Sequence, residues 1–235
     1  MNILIPLAGY GKRFKDVGYD LPKPLIEVNG KMMIEKVLDN LSLPGNYYFI
    51  ILKEHDKKYG IKNILKSIKQ GCEVVEIEEV TCGQACSCLL AKEFINNETP
   101  LLIANSDQIM EWEPANFISS INPDDDGIIF TFTDVGKNNS YVKLDNNGYV
   151  IEVAEKRVIS NIATCGVYYF RKGANFVYAA EKMIQDGEKV NNEYYVCPTY
   201  AELIKEDKKI VTYHVDGHYP IGTPEDLAKY LCRPL

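Results

Sequence analysis

Apolar positions in the first half of the chain alternate between short continuous runs and segments with helical spacing. Runs of strand length occur at 2–7, 47–52, 73–77 and 100–107. Helices are predicted between these runs, at 32–41, 54–69 and 83–94. Strands that alternate with helices along the chain are typical of a parallel sheet covered by helices. We therefore predict an α/β fold whose sheet is doubly wound and mostly parallel.

The pattern changes after residue 126. Four strands follow without long helices between them, at 127–133, 140–145, 149–156 and 163–170. The turn sequence DNNG (145–148) joins the second of these strands to the third as a hairpin. Helical patterns at 174–186 and 193–206, a strand at 209–215 and a closing helix that begins within GTPEDL (222–227) complete the chain. Thr223 is the predicted N-cap of this helix and Pro224 its first residue. Because no linker or repeat interrupts the pattern, residues 1–235 are predicted to form one domain with a small antiparallel insertion.

Composition narrows the classes of function. The 235 residues carry a net charge of −7, which gives no electrostatic reason to expect a nucleic-acid partner. No apolar run approaches the roughly 20 residues of a membrane-spanning helix, and no secretory leader pattern is present. The seven cysteines lack the paired spacing of a disulfide framework, which is typical of a reducing compartment. We therefore expect a cytoplasmic protein. Because its net charge is negative, any phosphate ligand must be bound by lysine, arginine and backbone N–H groups placed at the site itself.

The first strand runs into a loop suited to such groups. The sequence LAGYGKR (7–13) places Gly9 and Gly11 two residues apart and ends in Arg13. Glycines let the backbone come close to anionic oxygens, and amides at the start of the following helix point toward negative charge. Lys23, held between two prolines, adds a point charge. Taken alone, the loop is also compatible with a glycine turn that carries solvated charges, because it matches neither a P-loop nor a complete dinucleotide fingerprint.

Further segments follow in a consistent order: PKPL (22–25), ANSDQ (104–108), VAEK (153–156), TCGVYYF (164–170) and GTPEDL (222–227). Together with the opening loop they resemble the nucleotidylyltransferases, or sugar-nucleotide pyrophosphorylases. The resemblance implies the Rossmann-like fold of nucleotide-diphospho-sugar transferases. It also implies a reaction in which a phosphorylated acceptor attacks a nucleoside triphosphate and pyrophosphate leaves.

The resemblance assigns roles to particular residues. Arg13, Lys23 and Lys156 become the expected catalytic cations, and Asp107 the expected Mg²⁺ ligand. The expected nucleotide-binding set is Leu7, Ala8, Gly9, Gly11, Lys12, Arg13, Lys23, Gly83, Gln84 and Asp107. Gly83 is expected to allow close approach of the base. The expected acceptor-binding set is Glu155, Lys156, Asn192 and Glu193. The segment NNEYYV (191–196) has a second interpretation, in which it caps a helix and its tyrosines belong to the core.

Two positions depart from the family pattern. Pro220 stands where many members have a second metal-binding Asp, and Arg157 stands where a proline follows the acceptor lysine. Asp216 is the nearest carboxylate and is expected to replace the missing metal ligand, and strand alternation would put it on one face with His214 and His218.

The departures argue against an ordinary sugar 1-phosphate acceptor. Some cytidylyltransferases for non-sugar phosphates such as phosphocholine and phosphoglutamine share this small single-domain build, so the resemblance favours CTP and such an acceptor, in capsule or surface polysaccharide synthesis. The alternatives are a sugar-1-phosphate nucleotidylyltransferase that uses UTP, dTTP or GTP, and a non-catalytic nucleotide-binding regulatory module. Homo-oligomerisation is left open.

Overall fold

The computed structural model describes residues 1–233, so residues 234 and 235 of the predicted domain lie outside it. The strands, in chain order, are β1 (Asn2–Pro6), β2 (Glu27–Val28), β3 (Lys31–Met32), β4 (Asn46–Leu52), β5 (Glu73–Ile77), β6 (Leu101–Ala104), β7 (Gln108–Glu111), β8 (Gly127–Thr133), β9 (Ser140–Leu144), β10 (Val150–Glu155), β11 (Ile162–Phe170), β12 (Ile210–His214) and β13 (Gly217–Pro220). The α-helices are α1 (Lys12–Lys15), α2 (Met33–Leu41), α3 (Lys53–Tyr59), α4 (Ile61–Ile68), α5 (Gln84–Leu89), α6 (Lys92–Ile95), α7 (Pro114–Ser120), α8 (Gly173–Gln185), α9 (Thr199–Lys205) and α10 (Pro224–Leu231). A 3-10 helix covers Lys23–Leu25.

Nine strands form the main sheet. β5, β4, β1 and β6 lie side by side and are parallel. The long strand β11 runs antiparallel to β6 and β8, and contacts the antiparallel hairpin of β9 and β10 through β9. β12 extends the sheet in parallel beside β8. The predicted α/β fold with a mixed sheet and an antiparallel insertion is confirmed.

Each central strand contributes side chains to two apolar layers. Leu4 belongs to the cluster on one face of the sheet, and its neighbours Ile3 and Ile5 belong to the cluster on the other. β6 alternates in the same way, with Ile103 on the first face and Leu102 on the second. Successive strand residues point to opposite faces, so a strand covered on both sides is a continuous apolar run. This explains why the first-half strands lack polar alternation.

The DNNG hairpin forms as predicted. The Asp145 carboxylate accepts hydrogen bonds from the backbone N–H groups of Asn147 at 2.9 Å and Tyr149 at 2.8 Å. An acidic side chain that closes a turn onto its own backbone is a common reason for Asp at this position. The turn joins β9 to β10, and their antiparallel register shifts between Val150 and Glu152.

Three predicted helices are shorter or divided. The predicted helix 54–69 is split at Gly60, which adopts the left-handed conformation at φ 65°. The predicted helix 83–94 becomes α5 and α6. The predicted helix 193–206 begins only at Thr199, because the backbone of Tyr194 forms hydrogen bonds with Cys82 and Ala85 instead of with a helical turn. Among residues 1–233, none of the helices combines the length and apolarity required to cross a bilayer.

Candidate active site

A cavity of about 930 Å³ opens beside the carboxyl ends of β1 and β6. Its walls are the loop after β6, the loop between β8 and β9, the end of β10, and the segment 193–196 that precedes α9. The N-terminal turn of α10 completes the rim. Six residues of the expected site lie in this lining: Arg13, Gln84, Asp107, Glu155, Lys156 and Glu193.

The opening loop presents backbone amides rather than side chains. Leu7 donates its N–H to the carbonyl of Ile50 at 2.7 Å and so ends the strand pairing. Gly11 adopts φ 63° and caps α1, where its carbonyl accepts from Phe14 and Lys15. Within the described chain, the backbone N–H groups of residues 9–13 donate to no protein acceptor. These donors are available to an anionic ligand.

Two of the expected catalytic cations, Arg13 and Lys23, belong to the segment that follows β1. Arg13 is exposed and reaches the cavity, whereas the exposed Lys12 is absent from its lining. Lys23 opens the 3-10 helix that follows Pro22, and its Nζ lies 2.8 Å from Oδ2 of Asp107. The pair joins the loop after β1 to the loop after β6.

The Asp107 carboxylate is held in its ionised form. Burial opposes its ionisation, but the ammonium of Lys23, its hydrogen bond, and the nearby Arg13 and His218 outweigh that penalty and lower the pKa of Asp107. A carboxylate with a lowered pKa beside a lysine is suited to organising cations and phosphate groups.

Gly222 lies against the Asp107 carboxylate. A Cβ at Gly222 would lie 2.2 Å from Oδ2 of Asp107, and the N–H of Ile221 donates to the Asp107 carbonyl at 2.8 Å. The predicted N-cap is confirmed, because Oγ1 of Thr223 accepts from the backbone N–H of Asp226 at 3.1 Å. The glycine of the closing motif is therefore required by a carboxylate more than one hundred positions earlier in the chain.

Glu155 and Lys156 form the opposite wall. The Ser140 hydroxyl donates to Glu155, and burial raises the pKa of the Glu155 carboxyl. Lys156 has a left-handed backbone at φ 53°, and its Nζ donates to the Tyr195 hydroxyl at 2.6 Å. The same ammonium lies 4.7 Å from the centre of the Tyr195 ring. The lysine is therefore held in place before any acceptor arrives.

The reason for a glycine at position 83 differs from the expected one. A Cβ there would lie 2.4 Å from the backbone nitrogen of Tyr194, so the backbone of the segment 191–196 occupies the space that the sequence interpretation reserved for a base. Hydrogen bonds from Tyr194 to Cys82 and from Ala85 to Tyr194 hold the two segments together. Gln84 does face the cavity, where its Nε2 donates to Oδ1 of Asn105 at 2.7 Å.

The segment 191–196 is divided between the core and the cavity. Tyr194 is buried in the core, whereas Glu193 and Tyr195 line the cavity. Asn192 is exposed and absent from the lining. The role expected for Asn192 therefore has no geometric support.

Asp216 lies outside the cavity. It lines a separate depression of about 480 Å³ with Glu111, Trp112 and His214, and its backbone N–H donates to the Glu111 carbonyl at 2.9 Å. The expected shared face is wrong, because β12 ends at His214 and the chain turns before β13 begins at Gly217. Of the three residues of that run, His218 reaches the cavity. The structure does not bring Asp216 to Asp107.

His218 is enclosed by an aromatic ring and by acids. Its ring lies 4.4 Å from that of Phe132, centre to centre. Burial lowers the pKa of His218 to about 4, although Asp107, Asp134 and Asp226 oppose the shift. The imidazole is therefore neutral around pH 7 and adds no charge to the cavity.

Sequence reasoning missed other lining residues. Asp134 and Asp226 supply further carboxylates, and Asn105 lies beside the predicted metal ligand. Asn105 donates its backbone N–H to the carbonyl of Gly166 at 2.9 Å, and a Cβ at Gly166 would lie 2.1 Å from Nδ2 of Asn105. The glycine in TCGVYYF was the available signal, since it marks a close approach of another residue.

The donor chemistry of Asp107 fits Mg²⁺. Magnesium prefers one or two carboxylates, with phosphate oxygens and water completing its coordination. Within residues 1–233, the groupings of three His, Cys, Asp or Glu ligand atoms close enough for one ion do not include Asp107. Phosphate oxygens of a bound nucleotide and water would therefore complete the coordination of an ion at Asp107.

Comparison with known proteins finds related sequences. The model of a family described as "Nucleotidyl transferase" matches residues 3–232. The bifunctional protein GlmU of Methanococcus aeolicus is 27% identical over 234 residues, which cover 97% of this chain and 53% of that relative. A mannose-1-phosphate guanyltransferase of Pichia angusta is 23% identical, and the match covers 99% of this chain and 64% of that relative. The chain thus spans about half the length of the first of these relatives.

A solved structure shows the same fold. The crystal structure of a nucleoside-diphosphate-sugar pyrophosphorylase from Vibrio cholerae RC9 superposes with a TM-score of 0.84 at 24% identity. The match covers 98% of this chain and 100% of that chain.

Proposed function

The chain belongs to the nucleotidyl transferase family, and we propose that it transfers a nucleotidyl group from a nucleoside triphosphate to a sugar 1-phosphate and releases pyrophosphate. An oxygen of the acceptor phosphate forms a bond to the α-phosphorus, and the bond from that phosphorus to the pyrophosphate oxygen breaks. No covalent intermediate on the protein is needed. The contribution of the protein is then positioning and charge stabilisation.

The Lys23–Asp107 pair is the observation that carries this proposal. Asp107 lines the same cavity as Arg13 and Lys156, and Lys23, which is absent from that lining, contacts the Asp107 carboxylate. A triphosphate bound by the loop amides and Arg13 would extend its α-phosphate toward Lys23. An acceptor phosphate held by Lys156 would approach from the facing wall. The reacting groups would therefore meet between two fixed cations.

Asp107 is the residue that would hold Mg²⁺, and the bound ion would supply charge neutralisation for the phosphate oxygens. The protein residues would position the two substrates. Lys23 would stabilise the charge that builds up around the α-phosphorus, and Gly222 keeps the Asp107 carboxylate in its place. Glu155 could accept hydrogen bonds from acceptor hydroxyl groups.

The relatives that are similar in sequence favour a sugar 1-phosphate as the acceptor. The mannose-1-phosphate guanyltransferase is similar in sequence. The solved structures under 25% identity support only the fold, since they include both a UDP-glucose pyrophosphorylase and an inositol-1-phosphate CTP transferase. Arg157, the departure that favoured another acceptor, donates from Nη2 to Oε1 of Glu152 at 3.0 Å and is absent from the cavity lining. The use of CTP with a non-sugar phosphate is therefore the alternative that the test below must distinguish. A role in capsule synthesis depends on the acceptor that the test identifies.

The test is a coupled pyrophosphate-release assay with Mg²⁺. It combines UTP, GTP, dTTP, CTP and ATP with sugar 1-phosphates, phosphocholine and phosphorylated amino acids. We expect release with one nucleotide and a sugar 1-phosphate, and its loss in Lys23→Ala and Asp107→Ala. Release only with a non-sugar phosphate would overturn the proposed acceptor, and nucleotide binding without release from any pair would favour the regulatory module.

A further inference from the structure

Ser140 and Glu155 face each other across the hairpin of β9 and β10. They are opposed residues in the antiparallel register, and both line the cavity. Opposed residues of an antiparallel pair point to the same face of the sheet, so their side chains interact. The Ser140 hydroxyl donates to Oε2 of Glu155. The neighbouring carbonyl of Asn139 accepts the backbone N–H of Lys156 at 3.0 Å. The start of β9 therefore holds both Glu155 and Lys156.

The other groups around the Ser140 hydroxyl are neutral. Burial raises the pKa of Tyr168 and of Cys197 far above their ordinary values, and hydrogen bonds with Ser140 oppose these shifts only in part. The Tyr168 hydroxyl has a second partner in Oγ1 of Thr164, at 3.1 Å. An ionised carboxylate is a stronger acceptor than a neutral hydroxyl or thiol. The proton of Ser140 is therefore directed to Glu155 when that carboxyl is ionised.

The second oxygen of Glu155 is available to a ligand. Within residues 1–233, Oε1 of Glu155 has no hydrogen-bond donor in the protein, and it is not sealed from solvent. An ionised carboxylate oxygen can only accept hydrogen bonds. Because Glu155 lines the cavity, Oε1 is suited to a hydroxyl group of a bound molecule.

The groups that face Glu155 act on its ionisation in opposite directions. Burial raises the pKa of Glu155, and the charge of Glu193 acts in the same direction. The hydrogen bond from Ser140 and the ammonium of Lys156 act against them. Tyr195 also faces this carboxylate, and burial keeps it neutral by raising its pKa. Ser140 therefore favours the form of Glu155 that accepts hydrogen bonds.

We propose that Ser140 is a positioning residue, which holds one oxygen of Glu155 so that the other accepts a hydrogen bond from a hydroxyl group of the acceptor. This inference rests on the proposed function, because it takes the acceptor to be a sugar 1-phosphate. Lys156 would bind the phosphate of that acceptor and Glu155 its sugar. Two contacts on one wall would then fix the orientation of the acceptor.

Carbon-13 NMR of protein labelled at its glutamate carboxyl groups tests the link between the two side chains. Glu155→Gln identifies the resonance of Glu155. Ser140→Ala should raise the pKa of Glu155, because the ionised form loses a hydrogen bond, and Ser140→Thr should restore the wild-type titration. The matched control is Ser160→Ala, which removes a hydroxyl that donates to the Val142 carbonyl at 2.6 Å outside the cavity lining. This measurement needs no turnover, so an unchanged pKa in Ser140→Ala would overturn the proposal whether or not the enzyme is active.

Pyrophosphate-release kinetics with a sugar 1-phosphate provide the second readout. In Ser140→Ala, KM for the acceptor should rise about 10-fold at pH 7 while KM for the nucleotide stays constant. Ser140→Thr should reverse the rise, and Ser160→Ala should not cause it. Protonated Glu155 accepts more weakly, so acceptor KM should increase as the pH falls. That increase should begin at a higher pH in Ser140→Ala than in the wild type.

Monodeoxy analogues of the sugar identify the hydroxyl group that Glu155 binds. The analogue that lacks this group should have the same KM in the wild type and in Ser140→Ala, whereas the other analogues should keep the difference. An equal rise in both KM values, or a difference that persists with every analogue, would overturn the positioning role. Absence of release from the wild type would instead refute the proposed function and, with it, the acceptor role, even with a raised pKa of Glu155 in Ser140→Ala.

Discussion

Lys23 and Asp107 are separated by 84 positions in the chain, yet Nζ of one lies 2.8 Å from Oδ2 of the other. The contact exists because β1 and β6 are parallel neighbours, so the loops that leave their carboxyl ends meet at one edge of the sheet. Ligands of open α/β sheets bind at this kind of edge. The pair therefore marks the position at which we expect phosphate chemistry.

Lys23→Ala should affect catalysis more than folding. Each side chain of the pair is about a quarter exposed, so its loss should cost at most ~1 kcal/mol of stability. Loss of a fixed charge at the reacting centre typically lowers kcat by ~10²–10³-fold. Pyrophosphate release and thermal melting measure the two effects. The control is Lys15→Ala, an exposed lysine of α1, and a Lys23→Ala enzyme with normal kcat would contradict the role.

Gly222→Ala tests the placement of Asp107. The new Cβ would lie 2.2 Å from Oδ2 of Asp107, so the carboxylate has to move. Displacement of a catalytic group by about 1 Å can cost ~10²-fold in rate. We expect kcat to fall by that order while circular dichroism stays native. An unaltered kcat would show that the position of Asp107 does not limit the reaction.

Gly9→Ala tests whether the nucleotide contacts the backbone of the opening loop, without disturbing contacts within the protein. A Cβ at Gly9 meets no protein atom within 4 Å, so the melting temperature should not change. If the triphosphate approaches the loop backbone, the same methyl group should raise KM for the nucleotide about 10-fold or more while KM for the acceptor stays constant. Steady-state kinetics with each substrate varied in turn would reveal this, and equal nucleotide KM values would exclude the cradle.

Tyr195→Phe tests the support of Lys156. The substitution keeps the ring and removes the hydroxyl that accepts from Nζ at 2.6 Å. A hydrogen bond to a charged group contributes about 1.5 to 3 kcal/mol, so KM for the acceptor should rise at least ~10-fold without a change in nucleotide KM. Tyr59→Phe, whose hydroxyl donates to the Asp20 carbonyl, is the matched control. A shift confined to nucleotide KM would refute this positioning role.

His218 should make the fold sensitive to acid. Its pKa is about 4 in the folded protein, against an ordinary 6.5, so between these values the unfolded chain binds a proton that the folded chain does not. Stability contributed by this residue is therefore complete above pH 6.5 and decreases by up to ~1 kcal/mol per pH unit as the pH falls toward 4. His218→Phe should flatten that decrease in urea unfolding series. Parallel curves for both proteins would disprove the assignment.

The sequence predicted the strands better than it predicted the helix boundaries. The strands 73–77 and 127–133 have the bounds that their apolar runs indicate. The helix expected at 193–206 loses its first six residues, because Tyr194 pairs its backbone with the loop at 82–85. This contact between distant segments prevents the helix that the spacing of apolar residues predicts. Hydrophobic periodicity contains no information about such a contact.

The sequence also predicted some parts of the candidate site better than others. Residues in the ordered motifs, such as Asp107 and Lys156, line one cavity. Asp216 was chosen as the nearest carboxylate in sequence, and the turn after β12 directs it to a different depression. Asp134, Asp226 and His218 join the cavity only through the packing of three separate segments.

The sequence by itself determined the alternation of strands and helices, the glycines of the opening loop and the cations that flank it. These features follow from local rules, because burial on both faces requires apolar runs and left-handed or crowded backbone requires glycine. Only the tertiary structure decided which side chains share the cavity, why Gly83, Gly166 and Gly222 lack a Cβ, and that Tyr195 holds Lys156. Those relationships join residues far apart in the chain, and their geometry depends on how the sheet brings its strand ends together.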